Sequence, residues 1–352
     1  YLVAHYYFKS AKELYTSVMP GLSILAQPFY FLAGVAGFRF LMVLLSCILI
    51  YFLFLISSDY TGSIKISFIF SIIYAFLNPL IIYSSQLYPE IIAALCIVLT
   101  LYFIDRNKPV LSGLVISLVL WFHIKYIIIL SLFIIIVFIN SFYTGKNKKF
   151  FLLFIIPVFL LFSIYELYCF KIFGSTNPFA AYVQGSDAGY TNFYNMFYDI
   201  IINNNILEQC RINLFDIQFG LFVNCPLYVF GIISIFYCSI ILFSKYWKIS
   251  IIFFGYALYI FSNNQGYNGY SPLNRLLVPV LPLLIITSSE LFLKIGKTRN
   301  FIKNSSYILI IFLFLISFII SSVFVIVPIS RYPDYFGKNS IIWTVNKIFF
   351  KH

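Results

Sequence analysis

The feature that most constrains this chain is its long uncharged apolar runs, such as Ile127 to Ile139 and Ile308 to Ile320. Runs of this kind recur with short polar breaks along most of the sequence. A soluble domain carries roughly a quarter charged residues, whereas this 352-residue chain is 62% hydrophobic and 10% charged. It has too little polar surface to cover its apolar mass in water, so lipid is expected to be its solvent. Backbone in hydrocarbon must satisfy its own hydrogen bonds, which leaves helix bundles and closed barrels. The runs lack the two-residue alternation of a barrel strand, and the expected fold is an all-α polytopic transmembrane bundle.

Measured against the roughly 20 residues of a spanning helix, ten candidate spans lie near 38–58, 66–83, 87–104, 110–122, 126–142, 150–173, 219–244, 249–262, 276–293 and 304–328. Residues 1–37 are read as the remainder of an extracytoplasmic loop, with Gly21 to Gly34 along the membrane surface. Residues 38–330 form the bundle, including an outer loop over 174–218, and residues 331–352 an amphipathic outer tail.

The formal charge of +12 comes from 23 Lys and Arg against 11 Asp and Glu. In a membrane chain such an excess marks cytoplasmic loops and gives no support to nucleic-acid binding. Lys146, Lys148 and Lys149, then Lys245 and Lys248, then Lys294, Lys297, Arg299 and Lys303 mark three such turns. The loop 174–218 holds Asp187, Asp199, Glu208 and Asp216 against Arg211 and reads as external. Counting spans back from it places Glu90, His123, Lys125, Arg275 and Arg331 on that same outer side. The six cysteines form no Cys-x-x-Cys pair, and only Cys210 with Cys225 is a conceivable disulfide.

Glu90 follows Pro89 at the start of an apolar run, where a carboxylate complements the helix dipole. It equally suits an acid that orients a polar acceptor or holds a divalent metal such as Mg or Mn at the membrane surface. His123 and Lys125 sit in Trp-Phe-His-Ile-Lys-Tyr (Trp121 to Tyr126), the setting of an aromatic belt. A cation on the outer face also suits a lipid phosphate. The stretch Asn263 to Arg275 is polar and rich in turn residues, including Tyr267, Gly269, Tyr270 and Pro272. Arg275, at the outer start of the next span, can clamp a phosphate bidentately. Tyr, Asn and carboxylates such as Asp216 suit carbohydrate through ring stacking and hydroxyl bonds, and suit any folded exterior loop as well. No P-loop, zinc-protease or Gly-x-Ser-x-Gly signature is present.

Four stretches in chain order carry a family likeness. They are Leu14 to Gly21 (Leu-Tyr-Thr-Ser-Val-Met-Pro-Gly) leading into Ala26-Gln27-Pro28; Gln86 to Glu90; Asp216 to Gly231 with Pro226; and Gly269-Tyr270-Ser271-Pro272 with Arg275, Pro279 and Pro282. With them the chain resembles the polytopic GT-C glycosyltransferases, a group that includes protein O-mannosyltransferases and lipid A aminoarabinose transferase. The resemblance implies inverting transfer of a sugar from a polyprenyl-phosphate lipid to a hydroxyl of a glycan, lipid or protein, outside a prokaryotic plasma membrane. It implies Arg275, Lys125 and His123 for the donor phosphate, Glu90 for the acceptor or a metal, and Tyr267, Tyr270 and Asp216 around the sugar. Met19 departs from the His that many relatives carry before Pro-Gly. In relatives the catalytic acid follows the first transmembrane helix, before a Tyr-Leu like Tyr1-Leu2. The resemblance therefore places an eleventh span and that acid upstream of Tyr1, with Glu13 as the substitute candidate here. Two other classes stay open: a lipid-linked glycan polymerase or ligase, and a non-enzymatic lipid or sugar transporter. A transporter predicts paired charges within the membrane and duplicated halves. Apart from Glu166, inside a span and without a partner by sequence, the sequence shows neither feature.

Overall fold

The computed structural model describes residues 6–10, 13–16, 20–142, 148–174, 206–216, 220–262 and 275–326. In chain order the elements are β1 (Tyr6–Ser10), β2 (Glu13–Thr16), α1 (Gly21–Thr61), α2 (Ile64–Ala75), α3 (Leu80–Tyr83), α4 (Glu90–Asp105), α5 (Pro109–Ser117), α6 (Val119–Phe122), α7 (Ile127–Phe142) and α8 (Lys148–Phe173). They continue as α9 (Ile206–Phe215), α10 (Leu221–Asn224), α11 (Leu227–Ile241), α12 (Phe243–Ser262), α13 (Leu284–Ile295) and α14 (Asn300–Ile326), with 3-10 turns at Ile124–Tyr126, Arg275–Leu277 and Leu281–Leu283. Among the described residues the fold is helical apart from the antiparallel β1–β2 hairpin, in which Tyr6 pairs with Thr16 and Phe8 with Leu14.

Helix falls within each of the ten apolar segments, yet the ten spans are not established by it. Among the described residues four stretches are long and apolar enough to cross a membrane: Gly21–Thr61, Ile124–Phe142, Lys148–Ile172 and Asn300–Ile326. The shorter apolar helices Ile64–Ala75, Pro109–Phe122 and Leu227–Ile241 fall below the roughly 20 residues that a hydrocarbon core requires. Hydropathy merges neighbouring helices that the backbone separates. The segment 66–83, read as one span, is α2 and α3 divided at Phe76 to Pro79.

Local chemistry sets these boundaries. Within α1 the helix breaks at Ala33 and Gly34, where Gly34 adopts φ 57° and ψ −139°, a conformation that a Cβ strongly disfavours. Gly62, at φ 70°, closes the same helix by donating its N–H to the Ser58 carbonyl. Asn107, also at positive φ, lets the chain leave α4, and Pro109 then opens α5 at its first helical position.

The chain forms two compact units, Tyr1–Phe38 with Cys96–Asn203, and Arg39–Leu95 with Asn204–His352. This division differs from the single bundle read over 38–330, because hydropathy marks what meets lipid and says nothing about which helices share a core. In the first unit α5 lies against α8. A Cβ on Gly113 would run into the Phe154 carbonyl and the Pro157 ring, so the glycine permits backbone contact of the kind that apolar helices use. Phe138 and Phe142 of α7 pack on Phe151 of α8, and Trp121 packs on Tyr165 and Tyr168. In the second unit α2, α11 and α13 are joined by buried hydroxyls. Tyr74 Oη lies 2.9 Å from Ser288 Oγ, and Ser234 Oγ lies 2.8 Å from Thr287 Oγ1. On α14, Ser317 and Ser321 accept the backbone N–H groups of Leu227 and Asn78 at 2.9 Å each. Small polar side chains serve here as the interhelical glue that lipid does not supply. All six cysteines are free thiols, which settles the Cys210–Cys225 question.

Candidate functional site

Two charged residues that the sequence assigns to separate roles meet in the second unit. Glu90 is the first residue of α4, following Pro89, and its side chain is wholly buried. Arg275 opens the 3-10 turn that continues through Leu276 and Leu277, both buried. The Arg275 Nε donates to Glu90 Oε1 at 2.8 Å, and the guanidinium carbon sits 4.3 Å from the centre of the Tyr88 ring. Tyr88 in turn packs on Tyr83 with ring centroids 5.6 Å apart.

The local sequence explains this arrangement. Pro89 starts the helix and turns Glu90 into its first turn, where the exposed N–H groups and the helix dipole favour a carboxylate. The ring two residues earlier supplies a π face on which a guanidinium can lie. Arg275 keeps 24% of its side chain exposed and carries five N–H donors in a planar fork. The geometry is that of a partly exposed cation anchored by a carboxylate and laid on an aromatic face. Such a group binds an anion with its orientation already fixed, and bidentate pairing with phosphate is the strongest use of the fork. Both residues come from loops that the charge pattern assigns to the same side of the membrane.

His123 and Lys125 belong to the first unit, at the break between α6 and α7. His123 has extended backbone, and its Nδ1 accepts the Lys125 N–H at 3.2 Å, so the imidazole caps the following 3-10 turn. The ring packs edge-on to Tyr126, and Lys125 Nζ lies 5.1 Å from the centre of the same Tyr126 ring. The structure thus gives two local groupings, Glu90 with Arg275 and His123 with Lys125.

Asp216 follows α9. Its N–H donates to the Ile212 carbonyl, and its own carbonyl accepts the Gly220 N–H at 2.7 Å. Gly220 lies so close to the Asp216 backbone that no Cβ fits, which makes this a tight return into α10. Glu13 lies on β2. Tyr267 and Tyr270, the rest of the 263–274 stretch and the 331–352 tail lie outside the described residues. Among the described residues no three His, Cys, Asp or Glu side chains come together as a metal site.

A second buried carboxylate escapes the sequence reading. Glu290, late in α13, accepts from Tyr246 Oη at 2.7 Å and Lys245 Nζ at 3.1 Å through Oε2, while Lys294 Nζ approaches Oε1 at 3.6 Å. Lys245 and Lys294 enter the sequence argument only as markers of sidedness. The signal that finds the cluster is the Glu290 to Lys294 spacing of four within an otherwise apolar run.

Compared with protein-family models, characterised proteins and solved structures, the chain has no match.

Proposed function

We propose that this is a membrane glycosyltransferase that takes a sugar from a polyprenyl-phosphate donor and transfers it to an acceptor hydroxyl at the outer face of a prokaryotic plasma membrane. The observation that supports the reading is the guanidinium of Arg275, 24% exposed, bonded to the buried Glu90 carboxylate and laid on the Tyr88 ring. The motif resemblance supplies the reaction class.

In the proposed reaction the acceptor oxygen attacks the anomeric carbon, the bond from that carbon to the phosphate oxygen breaks, and polyprenyl phosphate leaves with the electron pair. The acceptor proton passes to a carboxylate base. Negative charge grows on the phosphate as the bond breaks, and a cation already oriented in a water-poor site stabilises it most at that point. Arg275 takes this role. Glu90 acts chiefly as the positioning residue that fixes the guanidinium, ahead of a role toward acceptor or metal. Lys125 is a second candidate for the phosphate, and Tyr267, Tyr270 and Asp216 for the sugar.

The test is native mass spectrometry of the purified protein with a sugar-linked polyprenyl phosphate and with the uncharged polyprenol. Retention of the phosphate lipid by wild type, with loss of about tenfold or more in Arg275→Gln, corresponds to one charge-assisted contact. Equal retention of the two lipids, or no effect of Arg275→Gln, overturns the phosphate assignment. A second reading, the transporter, draws on the ion pairs Glu90–Arg275 and Glu290–Lys245. Uptake of labelled lipid into protein-containing vesicles without chemical change to the donor favours it.

A further inference from the structure

The cluster around Glu290 joins three helices of the second unit. Glu290 lies near the end of α13, Lys245 and Tyr246 open α12, and the Tyr246 ring packs on Tyr60 of α1 with centroids 5.3 Å apart. Glu290 keeps 7% of its side chain exposed, against 43% for Lys245 and 40% for Lys294. A buried carboxylate thus holds two half-exposed ammonium groups, one through each oxygen. The preference for lysines on the cytoplasmic side accounts for cations that reach into water. It does not account for a buried acid that fixes two of them at one place.

The charges at this end of the unit do not balance. Lys245 and Lys294 outnumber Glu290, and Lys248, Lys297, Arg299 and Lys303 complete the segments 243–248 and 290–303 with no further acid. Asp59 and Lys65, on either side of the α1–α2 turn next to Tyr60, add one charge of each sign. An ammonium carries three N–H donors, so a lysine that turns one toward Glu290 keeps two for an anion. Apolar side chains flank the cations: Ile240, Ile241 and Phe243 before Lys245, and Phe301 and Ile302 after Arg299, are all exposed. A lipid phosphate brings acyl chains to such surroundings, whereas a free phosphate uses the lysines alone.

This cluster also stands apart from the Arg275 site along α12. The charges of Glu90 and Arg275 act on Tyr256, about 16 Å beyond Lys245 at a rise of about 1.5 Å per residue. The two clusters therefore lie toward opposite ends of one helix.

We infer that Lys245 and Lys294, held by Glu290, form a binding site for the phosphate of an anionic phospholipid in the leaflet away from Arg275. The inference rests on the chain lying in a membrane and is independent of the proposed transfer chemistry.

The experiment is native mass spectrometry of the full chain in detergent, titrated with phosphatidylglycerol, phosphatidylcholine and inorganic phosphate. Wild type is expected to hold phosphatidylglycerol about tenfold more tightly than phosphatidylcholine, without displacement by inorganic phosphate. The triple variant Lys245→Gln, Lys294→Gln, Glu290→Gln strands no buried charge and keeps an acceptor for Tyr246. It is expected to lose about tenfold in phosphatidylglycerol affinity, the scale of one or two lysine–headgroup contacts. Lys245→Gln alone leaves Lys294 facing Glu290 and is expected to lose about fivefold, which repeats the test without altering the carboxylate. Lys148→Gln changes the net charge as much as the triple variant does, on another turn of the same side, and is expected to bind as wild type does, as is Arg275→Gln. Equal affinity for the two phospholipids, displacement by inorganic phosphate, no loss in the triple variant and in Lys245→Gln, or an equal loss in Lys148→Gln overturns the inference. A loss confined to Arg275→Gln assigns the phospholipid to the other site and overturns it as well.

Discussion

Removing Arg275 alone leaves Glu90 in the interior without the cation that faces it, and the magnitude follows from their burial. Two unit charges about 4 Å apart attract by about 4 kcal/mol at an effective dielectric near 20, against which stands the desolvation of a carboxylate with no exposed surface. Breaking such a pair from one side typically costs about 3–5 kcal/mol. Arg275→Met is therefore expected to destabilise the fold by about that amount. Glu90→Leu leaves a guanidinium that is already 24% exposed and can turn toward solvent, so its cost is smaller, about 1–3 kcal/mol. The double variant replaces both partners by apolar groups and is expected to recover most of the Arg275→Met loss. Loss of the guanidinium on the Tyr88 ring, 4.3 Å away, adds roughly 0.5–2 kcal/mol that the double variant does not recover. Reversible unfolding in mixed micelles, followed by tryptophan fluorescence on the two single variants and the double, measures the coupling. Additive losses in that cycle refute the ion pair as described.

Three further outcomes follow from the packing. Gly113→Ala inserts a methyl group against Phe154 and Pro157 and is expected to destabilise the first unit by about 1–3 kcal/mol; a neutral result in the same unfolding assay contradicts the close α5–α8 approach. Glu290→Gln keeps an acceptor for Tyr246 and is expected to be milder than Glu290→Ala, which strands the buried Tyr246 hydroxyl; equal losses contradict the bond. At α9 the hydrogen bond from Arg211 holds the Glu208 carboxyl below its ordinary range. That contribution is present above the unfolded carboxylate value of about 4.3 and is lost as pH falls through the lower folded value. A carbon-13 titration of the Glu208 carboxyl with a midpoint at or above that unfolded value contradicts the pairing.

Parts of this structure are legible in the sequence because they rest on local rules. Pro89 before Glu90 marks the start of α4, Pro109 the start of α5, and Gly34 and Gly62 the break and end of α1. Hydropathy locates helix throughout the apolar segments and divides 110–122 from 126–142 at His123, but it does not give the helix lengths, since a break as short as Phe76 to Pro79, with only Asn78 and Pro79 to mark it, is lost within the apolar run 66–83. The Glu90–Arg275 pair spans 185 residues of sequence. Charge counting placed both residues on one side, which made contact permissible without specifying it, and it treated them as two sites where the structure has one. His123 is read with Lys125 as part of an aromatic belt that also suits a lipid phosphate, and the bond from the Lys125 N–H to its Nδ1, which caps the following turn, is not announced by the sequence. Glu290 was masked by the lysines around it, which carried a topology signal strong enough to look fully explained.

The central claim concerns Arg275 and a phosphate-linked sugar lipid, and turnover of such a donor tests it most directly. The full chain reconstituted in liposomes with a polyprenyl-phosphate sugar labelled in both halves, and with membrane extract as acceptor, is expected to release polyprenyl phosphate while label appears on the acceptor. Arg275→Gln is expected to reduce this rate by about 100-fold, the scale of one group stabilising transition-state charge. Bound donor that is never consumed, or consumption unchanged by Arg275→Gln, contradicts the account.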